Sequence, residues 1–280
     1  MSADPYVRPG EDFKFSTPNG LRMVDYLAGG SNNFSADKWL AEELEAIVGG
    51  VGDAARNAAA FKQAVVRGAV GMGIRQFVDL GTGIPRRPYL YETAQYLDPD
   101  ALVVSVENDL TGWAWVKTML DANDLTPVFR APFLTPDVLH HRVLTRHLNP
   151  IRPVCVLLVS AAHTAPLVDL ADLLKRMVSQ LPAGSMLAFS QWAIDDDHLR
   201  WSVNGLMAER TQSMWGLARS STEITEALMT HPMLGPPGPI APATDPLALA
   251  GSARRPTVTE FGGIIHLGRP QVSTRPGGSP

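Results

Sequence analysis

The stretch Val78-Asp79-Leu80-Gly81-Thr82-Gly83-Ile84-Pro85 decides how the rest of the chain is read. It closes a short apolar run, residues 74–80, that stops at glycines as a buried parallel strand does. Glycine removes side-chain bulk, so Gly81 and Gly83 let backbone amides approach a ligand. In open α/β sheets ligands sit beyond the carboxyl ends of strands, where strand order reverses. Taken alone, Gly-x-Gly after a strand is also what a tight turn looks like.

Outward from this loop, strands and helices alternate. Residues 102–106 predict a strand, 113–120 a helix and 128–130 a short strand. Residues 138–148 predict a helix, 154–159 the most apolar strand, 167–181 a helix and 186–190 another strand. This alternation predicts an α/β doubly wound, Rossmann-like sheet with helices on both faces. Beyond Ser190 the pattern predicts helices over 199–217 and 223–229, then a proline-rich loop over 231–256. Residues 257–261 and 264–267 flank Gly262-Gly263, which predicts a C-terminal antiparallel hairpin at the sheet edge.

Upstream, three helices are predicted. The first covers 21–27. The second is capped by Ser35 and carries Trp39, Leu40, Leu44, Ile47 and Val48 as its apolar stripe. The third starts near Asp53, carries Phe61, Val65, Val66 and Val70, and ends at Gly71 or Gly73. The expected organisation is a flexible lead (1–18), an N-terminal helical cap (19–73), the α/β domain (74–268) and a disordered tail (269–280).

Bulk properties exclude several classes. The 280 residues are 45% hydrophobic and 19% charged, with net charge −4. That balance argues against a nucleic-acid binder. No apolar run is long enough for a bilayer, and residues 1–20 lack the basic start and apolar core of a secretory signal. The single cysteine, Cys155, rules out an internal disulfide and a cysteine cluster for zinc, and lies where a small hydrophobe is expected. A soluble cytoplasmic protein without a metal is expected. The oligomeric state stays open, a homodimer among the options.

The ligand class follows from what the loop lacks. A dinucleotide loop needs a third glycine where Arg86 stands, and a P-loop needs a Gly-Lys-Ser/Thr ending. S-adenosylmethionine carries no phosphate and needs room for a ribose, a methionine tail and a sulfonium. An acid at the end of the next strand can grip the ribose hydroxyls, and Glu107 stands there with Asn108 and Asp109 beside it. Asp79 can hold the turn or meet the methionine ammonium. A solvated surface charge is the competing reading of Glu107.

Two segments together resemble a known family. The stretch from Asn19 to Asp37 resembles the N-terminal signature of an actinobacterial S-adenosylmethionine-dependent methyltransferase family, once known only as a domain of unknown function (DUF574). Arg22, Asp25, Tyr26, Gly29, Gly30, Asn33, Phe34, Ala36 and Asp37 match that signature. Asp79, Gly81, Thr82, Gly83 and Pro85 match its D-x-G-S/T-G-x-P loop. The resemblance covers roughly residues 16–268. It implies a class I methyltransferase sheet with a helical cap from which Arg22, Tyr26 and Asn33 approach cofactor or substrate. Their structural alternatives are a salt-bridged helix residue, a packed aromatic and a turn residue.

The chain also departs from the family pattern. Ala131-Pro132-Phe133 replaces an Ala-Asp-Leu whose aspartate can meet the adenine amino group, which leaves stacking on Phe133 or backbone contacts. The fourth strand ends Ser160-Ala161-Ala162-His163-Thr164, with Ser160 expected at the cofactor. His163 is the one candidate for a base on the acceptor, with a structural histidine as its alternative. Trp192 and Trp201 are expected in the core more than at an acceptor pocket. The function expected is methyl transfer to a small molecule, for instance in specialised metabolism. The alternative is a cofactor-binding protein without methyl transfer.

Overall fold

The computed structural model describes residues 15–135, 137–164, 169–211, 217–240 and 257–268. The predicted tail, residues 1–14 of the predicted flexible lead and residues 241–256 of the predicted loop lie outside the described residues.

Strand β1 (Gln76–Leu80) is buried along its whole length. Its side chains alternate between two apolar layers, as a strand covered on both faces requires. Phe77 joins Val65, Val66 and Ala69 of α3 (Val51–Gly71) and Ala94 of α4 (Leu90–Leu97). Val78 and Leu80 face the opposite layer, with Leu144 of α6 (Arg142–Thr145), Leu173 and Met177 of α7 (Leu170–Ser179), and Ile224 of α9 (Ser221–Leu228).

The sheet has seven strands in the order β3-β2-β1-β4-β5-β7-β6. Strands β2 (Leu102–Glu107), β3 (Val128–Arg130), β4 (Val154–Val159) and β5 (Met186–Ala193) run parallel with β1. Order reverses between β1 and β4, so the crevice opens at the carboxyl end of β1. Helix α5 (Leu110–Leu120) follows β2 and packs Val116 and Leu120 on Val128.

The predicted C-terminal hairpin is instead one strand, β7 (Thr259–His266), antiparallel to β5 along eight residue pairs. Gly262 is there for close approach and not for a turn. A Cβ on it would lie 1.9 Å from the Phe189 carbonyl oxygen and 2.6 Å from Ser190 Cα. Part of the predicted proline-rich loop forms the edge strand β6 (Gly238–Pro239), paired with β7 at Gly262 and Phe261. The helix predicted over 138–148 is broken into a 3-10 turn (Val138–His140) and α6, because His141 leaves the helical path and accepts the Val143 N–H on Nδ1. Helix α8 (Asp197–Arg210) ends before the predicted 217.

Helices α1 (Gly20–Leu27) and α2 (Ser35–Ile47) sit in front of this sheet. Asn19 caps α1 by accepting the Leu21 and Arg22 N–H groups. The cap residue of α2 is Phe34 and not Ser35, and its N–H donates to the Asp37 carboxylate at 2.8 Å. Met23, Leu40, Leu44 and Val51 share a core with Trp192, Val203, Met207 and Val258, so the cap docks on β5 and α8.

Candidate functional site

A cavity of about 300 Å³ opens at the carboxyl ends of β1, β2 and β4. The glycine loop forms its floor, while α1 and α3 form its roof. Gly81 and Gly83 have φ of 70° and 71°, the left-handed region that favours glycine. At Gly81 a Cβ would lie 2.5 Å from Ala161 Cβ and 2.8 Å from Phe133 Cζ. Thr82 Oγ1 donates to the Asp79 carbonyl and closes the turn.

Glu107 ends β2 and is 3% exposed. Its Oε2 accepts the Gly83 N–H at 2.9 Å, and its Oε1 accepts those of Asn108 (2.7 Å) and Asp109 (3.0 Å). Burial, with the Asp109 carboxylate second, pushes its pKa up to about 7, against the pull of those three N–H donors. The Gly83 amide therefore serves a carboxylate, whereas a phosphate loop leaves such amides free for its ligand. The Asn108 carbonyl accepts from Arg130 Nε. Ser160 adopts φ of 53° and donates its Oγ to Glu260 Oε2 at 3.3 Å.

Asp79, Gly81, Thr82, Gly83, Glu107, Asn108, Phe133 and Ser160 all line this one cavity. Pro132 is exposed and does not line it, while Phe133 is buried against Gly81.

Four other predicted site residues do not line it. Arg22 is buried and bound to Asp37 (Nε to Oδ2, 2.7 Å) and to the Thr17 carbonyl, with Phe34 against its guanidinium. It joins α1 to α2. Tyr26 lies under the Lys38 ammonium, 5.7 Å from its ring. Asn33 donates to the Gly30 carbonyl and to Asp25 Oδ2, a turn residue's work. His163 is 1% exposed and stacks on Trp192 with ring centroids 5.2 Å apart. Burial, then the Arg219 guanidinium, pushes its pKa down to about 3. Its imidazole does not line the cavity. Trp192 is fully buried under the cap, whereas Trp201, expected in the core, is 78% exposed. Cys155 is buried, its thiol pushed up to about 12, chiefly by burial.

Lys62, not singled out in the sequence, and Asp25, there only a signature match, also line the cavity. Lys62 Nζ meets Asp79 Oδ1 at 2.7 Å, with the two side chains 12% and 2% exposed. In the sequence Lys62 falls at helical spacing between Ala58 and Val65, a cation inside an apolar stripe. That anomaly was its signal. Glu260, inside the expected hairpin, is fully buried and accepts the Ser190 hydroxyl at 2.5 Å.

A buried carboxylate at the β2 end, a left-handed glycine loop that offers no phosphate cradle, and a cavity at the strand ends fit a nucleoside with an amino-acid tail. The family model described as S-adenosyl methyltransferase matches residues 8–263. A DUF574 family protein from Streptomyces avermitilis superposes with a TM-score of 0.76 at 25% identity, over 90% of this chain and 99% of its own. A candidate methyltransferase from Thermobifida fusca gives 0.74 at 26% identity, over 93% and 98%. No curated protein matches the chain significantly. The sheet order, the cavity at its switch point and a family match over nearly the whole length agree: this chain belongs to the S-adenosyl methyltransferase family, and S-adenosylmethionine is its cofactor.

Proposed function

We propose that the chain moves the cofactor's methyl group to a small molecule admitted to this cavity, in the cytoplasm of an actinobacterium. The observation that carries the reading is Glu107, a carboxylate buried at the β2 end with the glycine loop tied to it. A cavity roofed by helices suits a small acceptor, and a net charge of −4 does not favour nucleic acid. No helix among the described residues is long and apolar enough to cross a membrane. The two solved relatives come from Streptomyces and Thermobifida, which favours an actinobacterial source.

When bound, the cofactor would supply an electrophilic sulfonium methyl: an acceptor lone pair bonds to the methyl carbon as the S–CH3 bond breaks, and the thioether S-adenosylhomocysteine leaves. The protein's share is position. Glu107 would accept the ribose hydroxyls, and Asn108 beside it would flank the adenosine. Phe133 offers the adenine an apolar edge. Asp79, Thr82 and Ser160, with Gly81 and Gly83, shape the floor, while Leu21 and Val24 of α1 exclude water from above.

Calorimetry with S-adenosylhomocysteine tests this directly. The wild-type protein is expected to show saturable binding that strengthens from pH 6 to pH 8. The ionised Glu107 accepts hydrogen bonds better than the protonated form, and its pKa lies near 7. Glu107→Gln should flatten that pH dependence and cost about 10- to 100-fold in affinity, the worth of a charged hydrogen bond at roughly 1.5–3 kcal/mol. Absence of binding at millimolar ligand would sink the reading.

A further inference from the structure

Lys62 is a cation on a face of α3 that otherwise offers the cavity alanines. Ala55, Ala58, Ala59 and Lys62 recur at helical spacing, and all four line the cavity. The alanines leave room. The one long side chain of that stripe reaches the floor, where Nζ meets Asp79 Oδ1 at 2.7 Å. Asp79 is within its reach because it shares the α3-facing side of β1 with Phe77, two residues earlier. The Lys62 side chain stays 12% exposed and Asp79 lines the same cavity, so the ammonium lies at the cavity wall and not behind it. Among the described residues the one other cation that lines the cavity is Arg86, which is exposed and donates to the Ala28 carbonyl.

An ammonium has three protons to donate, and Asp79 takes one. It is the one hydrogen-bond partner of Lys62 among the described residues. As a device for stability the pair is poor, because a buried ion pair gains little over apolar side chains of the same size. The other carboxyl near Lys62 is that of Glu260, which accepts the Ser190 and Ser160 hydroxyls. Burial pushes its pKa up to about 8, so it is mostly neutral at pH 7. The Lys62 charge therefore faces one carboxylate and the cavity. Position decides which part of a ligand comes there. Asp79 pairs with Ser105, two residues before Glu107 on the neighbouring strand. At ~4.8 Å between strands and ~3.3 Å per residue, Asp79 and the acid assigned to the ribose are rooted about 8 Å apart. The thioether chain from ribose to amino acid spans a gap of that size.

We propose that Lys62 Nζ receives the α-carboxylate of the cofactor's methionine part, and that Asp79 holds the ammonium in place for it. This rests on the cofactor reading given above and adds the residue that reads the acid of the amino-acid tail. That tail brings its own ammonium along with the carboxylate, so the site takes it without a net change of charge. The cation recognises the tail's acid and is indifferent to the adenosine.

Two ligands separate that role from a structural one. S-adenosylhomocysteine carries the carboxylate; 5′-deoxy-5′-(3-aminopropylthio)adenosine keeps the adenosine, the sulfur and the ammonium and lacks it. By calorimetry the wild-type protein is expected to bind the first about 10- to 100-fold more tightly, the worth of a charged hydrogen bond. Lys62→Met should shrink that ratio to within about threefold. This variant leaves Asp79 without its partner, so Lys62→Met combined with Asp79→Asn is measured beside it, and the same collapse of the ratio is expected. Both ligands carry the ammonium, so any effect of Asp79 on it cancels. A ratio that keeps its wild-type value in the double variant would overturn the proposal and leave the pair a structural one. Wild-type protein that binds both ligands equally well would overturn it too, with the cofactor reading intact. If the wild-type protein binds neither ligand, the cofactor site itself is misplaced and both readings fall together.

Discussion

His163 stands four residues past β4, where a sequence reader expects a base and the fold supplies a wall. It is stacked on Trp192, 1% exposed, and held neutral with a pKa near 3. His163→Ala should therefore lower stability by about 1–3 kcal/mol, a Tm drop of roughly 3–10 °C. The same variant should leave cofactor affinity within twofold, read by thermal melts and calorimetry on one sample. A large affinity loss with an unchanged Tm would contradict the packed role. At this scale the sequence was informative where local pattern and function coincide. Glu107 and the glycine loop were legible because a strand end fixes where they point. Arg22, Tyr26 and Asn33 were not, because which face of a cap helix meets the cavity depends on how α1 docks. Asp25 sat inside the signature with no role attached, since only the fold shows the turn after α1 closing on its carboxylate.

Among the elements, β7 shows how one residue type carries opposite meanings. Gly262-Gly263 between two apolar runs has the composition of a turn. In the fold both lie within a continuous strand, and long-range contact decides, which no local pattern records. The two glycines should respond differently to a methyl group. At Gly262 the obstacle is the Phe189 backbone carbonyl, which has no room to yield. Gly262→Ala is expected to destabilise by about 1–3 kcal/mol or more. At Gly263 the nearest atom is the flexible end of Met233, at 2.7 Å, so Gly263→Ala should cost well under 1 kcal/mol. Equal midpoints in urea for the two variants would refute the distinction. The strands β1 to β5 were legible because burial on both faces writes a continuous apolar run. The 138–148 helix was not, because the His141 side chain competes for the Val143 amide and breaks it.

At the level of the whole molecule, stability is tied to pH through Glu260. This carboxyl is fully buried, held by the Ser190 and Ser160 hydroxyls with Lys62 nearby, and burial pushes its pKa from 4.5 up to about 8. Between those values the unfolded chain has released a proton that the folded chain keeps. Stability therefore falls as pH rises through that window, and Glu107, raised to about 7, adds to the same trend. Glu260→Gln keeps a neutral hydrogen-bonding group in place. It should raise Tm by a few degrees relative to wild type at pH 8, and by much less at pH 5. An identical Tm difference at both pH values would refute this.

The roof of the cavity has a consequence in time. Helices α1 to α3 leave the ribosome before any strand of this sheet. Their apolar faces pack on Trp192, Val203, Met207 and Val258, which come much later, and Thr257 and Val258 donate to the Gly49 carbonyl. A nascent chain thus carries the α1–α2 face without its full cover until residue 258 emerges, and contacts of such long sequence separation close slowly. The ability to bind comes late, when the segment at residues 257–258 reaches back to the helical cap.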